Sequence, residues 1–136
     1  MHEKDGKGRL ETRFDRLDTL IADSRLVRST WVGTDAQGRD TACLLAALSP
    51  EAGKAEDARA CPADVMPTWL ALLTPWLDDS GTVEAWPSVV RRYAALARRW
   101  YALDETRWAR LHWQTRGIIV REALAFLKGG LNGTTN

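Results

Sequence analysis

The sequence lacks most of the features on which metal binding, cofactor binding and membrane insertion usually depend. Its 136 residues contain two cysteines, Cys43 and Cys61, and two histidines, none at metal-ligand spacing. No apolar run approaches the roughly 20 residues that span a bilayer, and the polar N-terminus has no secretory-signal pattern. Glycine motifs for phosphates or dinucleotides are missing. We therefore predict a cytoplasmic protein with reduced cysteines, no metal and no cofactor.

Candidate catalytic groups are equally sparse. The adjacent carboxylates Glu56-Asp57 lie in a predicted loop, and Asp78-Asp79 precede a serine and a glycine, which is typical of a solvated helix stop. A nucleophilic pair of Cys43 and His112 would need a thiol with a lowered pKa, whereas apolar neighbours of Cys43 predict a raised one. We predict no catalytic residues, and keep an enzyme built on Cys43, His112 and a carboxylate as the less favoured alternative.

The composition predicts one globular domain. Hydrophobic residues make up 45% of the chain and charged residues 27%, which is ordinary for a folded domain. The segment 1–8 is polar with two glycines, and the glycines at 129 and 130 end the last apolar pattern. We expect a flexible start over 1–8, a single domain over 9–128, and a flexible C-terminus over 129–136.

The hydrophobic periodicity predicts helix, hairpin, helix, helix, helix. A first helix is expected over residues 9–23, and a second follows Pro67, with Pro75 kinking or shortening it. A third starts at Pro87, and a fourth is capped by Asp104. The expected fold class is α+β, mostly helical, with about four helices and one small β-hairpin.

The hairpin prediction rests on a turn-like loop, Gly33–Gly38, between two apolar segments. The first strand would lie within residues 26–32 and the second would run from Arg39 to about Leu48. The segment Ala42–Leu48 is also consistent with a short helix, because alanine and leucine favour that state. Residues 49–64 are predicted as a surface loop with at most one helical turn.

Seven tryptophans are the most unusual feature of the composition. Trp69, Trp76, Trp100 and Trp108 fall on helix faces with other apolar residues and are predicted to be core. Trp113 is offset from such a face, and we predict that it and Trp86 are exposed anchors for a partner.

The charge is distributed unevenly along the chain. Residues 1–86 carry 10 Lys and Arg against 15 Asp and Glu, whereas residues 87–136 carry nine against three. Arginines beside aromatic side chains suit phosphate contact with base stacking, and equally suit docking on an acidic protein surface. The alternative is a solvated face whose arginines pair with the acidic part of the same chain. The predicted partner surface consists of Arg91, Arg92, Arg98, Arg99, Arg107, Arg110, Trp113 and Arg116.

Two stretches carry a resemblance to known sequences. The ranges Arg25–Leu48 and Cys61–Trp100, with the segments CPADVMPTWL and LTPWLDDSG, resemble those of small uncharacterised accessory proteins carried by phages and prophages. The resemblance implies an accessory role in a mobile element, for which inhibition of a host defence complex, an anti-CRISPR-like role, is one concrete function. It assigns no role to any residue.

These patterns lead to a non-enzymatic binding protein as the favoured hypothesis. Its expected partner is a protein or a ribonucleoprotein complex, and the alternative is direct binding of nucleic acid by the same basic face. The near-neutral net charge of +1 argues mildly against nucleic acid. A homodimer that buries the hairpin edge or a surplus tryptophan face is a further expectation.

Overall fold

The computed structural model describes the backbone of residues 2–133 and the side chains of residues 8–100 and 102–129. Within that part of the chain the elements occur in this order: α1 (His2–Ala22), β1 (Val32–Thr34), β2 (Asp40–Ala42), α2 (Leu44–Leu48), α3 (Pro50–Ala55), α4 (Thr68–Asp79), α5 (Trp86–Ala97) and α6 (Glu105–Gly133). Short 3₁₀ turns occupy Ala58–Ala60 and Trp100–Ala102. The predicted class, α+β and mostly helical with one small hairpin, is confirmed.

The chain divides into two compact units, residues 1–102 and residues 103–136. The first unit holds all elements from α1 to the second 3₁₀ turn, and the second holds α6. The prediction of a single globular domain over 9–128 stays a prediction.

The first and last helices extend further than the sequence patterns predict. α1 begins at His2 rather than Arg9, so the segment expected to be a flexible start is helical from its second residue. α6 continues through the two glycines expected to end it and reaches Gly133. A glycine costs a helix only about 1 kcal/mol, so it weakens a helix without forcing its end. Met1 and residues 134–136 lie outside the described residues.

The predicted hairpin is present, but its strands are shorter and shifted. β1 and β2 pair antiparallel, with Val32 opposite Ala42 and Thr34 opposite Asp40. In the turn, the Asp35 carboxylate accepts hydrogen bonds from the backbone N–H groups of Gln37 and Arg39, each at 2.9 Å. These bonds, chiefly that from Arg39, hold the pKa of Asp35 below its usual value.

The second strand ends at Ala42, so the strand favoured up to Leu48 is wrong and the alternative of a short helix is confirmed. Residues Leu44–Leu48 form α2 instead, and all five side chains are buried. A continued strand here would need backbone partners on the residues before Val32, and β1 does not extend there. The backbone groups at the two ends of α2 bond to side chains of α4 and α1, and α2 packs on α1 beside the core residues Phe14, Leu17 and Leu20.

The segment 49–64 is not the surface loop that its composition predicts. Ser49 caps α3 by accepting a hydrogen bond from the Ala52 N–H at 3.2 Å, and Pro50 occupies the first turn. Ser49, Ala52 and Gly53 are buried. The left-handed Glu56, with φ of 53°, ends the helix. This cap was readable in the sequence as a serine followed by a proline.

α4 passes through Pro75 and ends only at Asp79, so of the two effects predicted for the proline, a kink or a shortened helix, the shortening does not occur. Its buried residues are Ala71, Thr74 and Asp78, which lie on one side of the helix. α5 starts at Trp86 with Pro87 in its first turn, as predicted, and buries Val90, Tyr93 and Ala97. The hydroxyl groups of Thr74 and Tyr93 lie 2.7 Å apart and join the two helices.

Gly53 shows how tightly α3 packs against the hairpin and α2. A Cβ atom at this position would lie 2.8 Å from the Ala46 Cβ and 3.1 Å from a methyl carbon of Val32. We expect Gly53→Ala to lower the free energy of unfolding by about 1–3 kcal/mol, because the added Cβ would lie too close to the Cβ of the buried Ala46. Urea denaturation followed by circular dichroism measures this loss.

The matched control for this prediction is Gly8→Ala. Gly8 is also helical but meets nothing within 4 Å. Alanine there should leave stability unchanged or raise it by up to about 1 kcal/mol. Equal effects of the two substitutions would contradict the packing argument.

Candidate binding surface

The predicted surface residues are divided between the two units. Four arginines, at 91, 92, 98 and 99, belong to the first unit, and the remaining four residues lie on α6 in the second. Arg91 and Arg92 are exposed on α5, on the side away from its buried residues, and Arg99 is exposed just after the helix. Val90, Tyr93 and Ala97 anchor α5 in the first unit and so leave these guanidinium groups in solvent.

Arg98 differs from its neighbours because it is engaged within the first unit. Its guanidinium bonds to the carboxylates of Asp15, at 3.2 Å, and Asp18, both on α1. It also lies 5.9 Å from the centre of the Phe14 ring. These carboxylates raise the pKa of Arg98. Arg98 therefore follows the alternative prediction, in which the arginines pair with the acidic part of the same chain.

Trp113 is an exposed aromatic side chain, as predicted, with 67% of its surface accessible. The guanidinium of Arg116 lies 5.4 Å from the centre of its ring, and the His112 ring stacks at 5.8 Å with an interplanar angle of 21°. Arg107 and Arg110 are exposed on the preceding turns of α6. The structure therefore brings Trp113 and Arg116 together on one helix.

Aliphatic side chains continue the Trp113 side of α6. Val120, Leu124 and Leu127 are 56%, 60% and 59% exposed. Successive helix residues are rotated by about 100°, so these positions fall within about 40° of Trp113 around the helix axis. An arginine-flanked aromatic followed by three exposed aliphatic side chains forms a continuous apolar stripe of the kind that helix-in-groove recognition uses.

The other predictions for tryptophan side chains have mixed outcomes. Trp100 is core, 8% exposed, with its ring edge-to-face against Tyr93 at 5.5 Å. Trp76, also predicted as core, is 74% exposed and that prediction is wrong. Trp69 and Trp108 are half-buried. Trp86 is half-buried rather than an exposed anchor, because its indole N–H is used inside the first unit.

Asp78 is a structural residue that the sequence patterns did not identify. It was predicted as a solvated helix stop, but it is 1% exposed. Its carboxylate accepts hydrogen bonds from the Trp86 indole N–H at 2.7 Å and from the Leu44 backbone N–H at 3.1 Å. Burial raises the pKa of Asp78 above its usual value, although these two hydrogen bonds act to lower it. The spacing of Ala71, Thr74 and Asp78 could have revealed this, had the helix been continued past Pro75.

Arg28 closes the end of α4 beside this carboxylate. Its guanidinium donates to the backbone carbonyl oxygens of Asp78 and Asp79 at 2.9 Å, and of Ser80 and Gly81 at 3.3 Å. The Cζ atom of Arg28 lies 6.0 Å from the centre of the Trp86 ring. A cation at a helix C-terminus satisfies carbonyl groups that have no partner within the helix.

A small pocket of about 140 Å³ lies next to this network. Its lining residues are Ser29, Thr30, Trp31, Cys43, Pro75, Asp78 and Asp79. Burial raises the pKa of the Cys43 thiol, and the negative charge of Asp78 raises it further. A nucleophilic thiolate needs the opposite shift, so the chemistry of this pocket does not favour a cysteine nucleophile.

Among the side chains that the structure describes, no three His, Cys, Asp or Glu residues cluster as metal ligands would. Within the same described part, no helix is long and apolar enough to cross a membrane.

Comparisons of the chain with protein-family models, with curated proteins and with solved structures found no match. The resemblance to phage-carried accessory proteins therefore stays a prediction.

The Asp78 network predicts a large difference between two adjacent carboxylates. Asp78→Ala leaves the buried N–H group of Leu44 and the partly buried indole N–H of Trp86 without acceptors, so we expect a loss of about 3 kcal/mol in the free energy of unfolding. Asp79→Ala removes one hydrogen bond to the Ser29 N–H at an exposed position and should cost about 1 kcal/mol. Urea denaturation of both variants measures the difference, and equal losses would contradict the assigned role of Asp78.

Proposed function

We propose that this chain is a non-enzymatic cytoplasmic protein that docks on a protein or ribonucleoprotein partner through the Arg/Trp-rich residues of α5 and those of α6. The observation that carries the proposal is the exposed Trp113 ring with the Arg116 guanidinium beside it. Tryptophan and arginine are the side chains most enriched at the energetic centres of interfaces. An exposed indole flanked by an arginine and a histidine is suited to that use.

The arginines indicate the chemistry of the partner. Arg91, Arg92 and Arg99 are exposed in the first unit, and Arg110 and Arg116 are exposed on α6. Planar guanidinium groups form bidentate hydrogen bonds with carboxylates and phosphates. The partner that these arginines suit best is therefore an acidic protein surface or a protein bound to nucleic acid. Arg98 supports the surface indirectly, since its bonds to Asp15 and Asp18 hold the end of α5 on α1.

The resemblance to phage-carried accessory proteins extends the proposal to a biological setting. A small protein with a basic, aromatic docking surface and no assigned catalytic group would act by occupying a surface of a larger complex. We propose a host defence complex as that target, with inhibition by occlusion as the mode of action.

Charge reversal tests the proposed surface once a partner has been identified by affinity purification from the native host. The variant Arg99→Glu, Arg110→Glu, Arg116→Glu should weaken binding to the purified partner by a factor of 100 or more, roughly 3 kcal/mol, because reversed charges repel an acidic surface. Arg98 is left unchanged, since its loss would disturb the packing of α5. Isothermal titration calorimetry gives the dissociation constants.

The control carries the same change in net charge at positions outside the surface. Arg16, Lys54 and Arg59 are exposed residues of the first unit, and their replacement by glutamate should leave the dissociation constant within a few-fold of the original. Equal binding by the charge-reversed variant and the unmodified chain would refute the proposed surface.

Direct nucleic-acid binding is the second candidate function, favoured by the His112 and Arg116 groups that flank the Trp113 ring. Exposed aromatic rings beside arginine suit base stacking. With four phosphate contacts, affinity for a single-stranded oligonucleotide should fall about 50-fold between about 50 and 200 mM salt. Gel-shift titrations at the two salt concentrations test this candidate. Absence of a shifted complex at low salt would eliminate it.

A further inference from the structure

Thr41 on β2 carries a hydroxyl group that has no partner among the described residues. The residue is 7% exposed, and the residue opposite it on β1 is Gly33, which offers no side-chain group. Buried hydroxyl groups are nearly always hydrogen-bonded. No side-chain oxygen or nitrogen in the described part is both enclosed and without a partner, so the Thr41 hydroxyl is reached from outside. Thr41 lines a pocket of about 230 Å³, from which a ligand can supply the missing bond.

Strand pairing places the Arg25 side chain on the same face of the sheet as Thr41. Leu26 forms an isolated parallel bridge with Ala42, and both side chains are buried. Successive side chains of an extended chain alternate between faces, so the preceding residues, Arg25 and Thr41, both lie on the other face. By the same alternation the Asp40 carboxylate lies on the Ala42 face, away from Thr41. The Arg25 Nε donates to the Asp40 backbone carbonyl at 2.7 Å, which holds the guanidinium group over β2.

The last turns of α1 add a second guanidinium group to this pocket. The lining residues are Arg16, Thr19, Leu20, Arg25, Asp40 and Thr41. Arg16 and Thr19 are three positions apart, so they lie on the same side of the helix. Within the described part of the chain, Arg16 forms no ion pair or hydrogen bond. Two guanidinium groups and two threonine residues therefore line one small space in the first unit.

The local charges favour an anion in this pocket. The Asp23 carboxylate lies 3.5 Å from the Arg25 Nη1 and offsets part of that charge, whereas the charge of Arg16 has no such counterpart. Carbonyl oxygens at the end of α1 would repel an anion, but those of residues 19–21 already accept backbone hydrogen bonds. An anion in the pocket therefore meets two cations and the Thr41 hydroxyl.

We propose that this pocket binds a phosphoryl group, with Arg16 and Arg25 as the cationic ligands and the Thr41 hydroxyl as a hydrogen-bond donor. Guanidinium groups form bidentate hydrogen bonds with phosphate, and a hydroxyl group donates one more. The volume of about 230 Å³ is several times the roughly 30 Å³ of one water molecule, so it admits a tetrahedral oxyanion. It is smaller than the pockets of about 300–1,000 Å³ that enclose drug-sized ligands. The pocket therefore suits a free phosphate ion or the phosphoryl end of a monoester.

This inference does not depend on the proposed function. All six lining residues belong to the first unit, and none belongs to the predicted partner surface. Arg16→Gln should therefore weaken phosphate binding without changing the affinity for the protein partner.

Isothermal titration calorimetry of the full chain with inorganic phosphate, at constant ionic strength, tests the site. We expect saturable binding with a dissociation constant of about 1 mM or lower. Arg16→Gln should raise that constant at least about tenfold, because it removes charge-assisted hydrogen bonds. Thr41→Val exchanges the hydroxyl group for a methyl group and should raise it about fivefold.

The matched control is Lys54→Gln, which removes one positive charge from an exposed position outside the pocket. Its dissociation constant for phosphate should equal that of the unmodified chain. Far-UV circular dichroism verifies that the three variants remain folded, and Arg16 is exposed, so its replacement leaves the core intact. Equal phosphate affinities of the Arg16→Gln chain and the unmodified chain would overturn the inference.

Titrations with glycerol 3-phosphate and with acetate identify the source of the anion. Tighter binding of glycerol 3-phosphate than of inorganic phosphate supports a monoester as the ligand, and weaker binding supports the free ion. Acetate should bind at least about tenfold more weakly than phosphate, because it carries one charge and two oxygens. Equal binding of acetate, or no saturable heat with inorganic phosphate, would show that the pocket does not recognise a phosphoryl group.

Discussion

The Asp78 carboxylate is the interaction on which the first unit depends. One buried side chain at the end of α4 accepts from the first N–H of α2 and from the Trp86 indole at the start of α5. α2 has no side-chain cap of its own, because its N-cap residue is Cys43. Its other end is closed by Arg13, which donates to the Leu48 carbonyl at 2.9 Å. A completely buried five-residue helix thus forms because side chains from α4 and α1 satisfy both of its ends.

This network also determines what the first unit exposes. With Ala71, Thr74 and Asp78 directed into the core, the opposite side of α4 presents Trp76 and Leu72 to solvent. Likewise, burial of Val90, Tyr93 and Ala97 turns Arg91 and Arg92 outward, while the bonds of Arg98 hold the end of α5 to α1. The side of each helix that packs into the core therefore determines which side chains the first unit exposes. α6 exposes apolar side chains on two sides, one of which carries Trp113.

Short-range signals predicted the fold class and several boundaries. The turn residues between β1 and β2, Pro87 in the first turn of α5 and the Asp104 cap, which accepts from the Arg107 N–H at 2.8 Å, each act within a few residues and could be read directly. The periodic residues Phe14, Leu17 and Leu20 are buried as predicted. Contacts between residues distant in the chain were not predicted: Asp78 bonds to a residue 34 positions away, and Arg28 to carbonyl groups 50 or more positions away. Nothing adjacent to either residue reveals those partners.

The sequence by itself determined the helical character, the hairpin turn, the charge asymmetry and the exposure of Trp113, because each follows from local spacing or composition. Only the tertiary structure decided that the segment Leu44–Leu48 is a helix, which groups bond to the Asp78 carboxylate and that Trp76 is exposed. These outcomes depend on competition among apolar faces for a limited core. A tryptophan on an amphipathic helix is buried only if its side of the helix faces the core. On α4 the side that carries Ala71, Thr74 and Asp78 faces the core, because Asp78 accepts hydrogen bonds from α2 and α5.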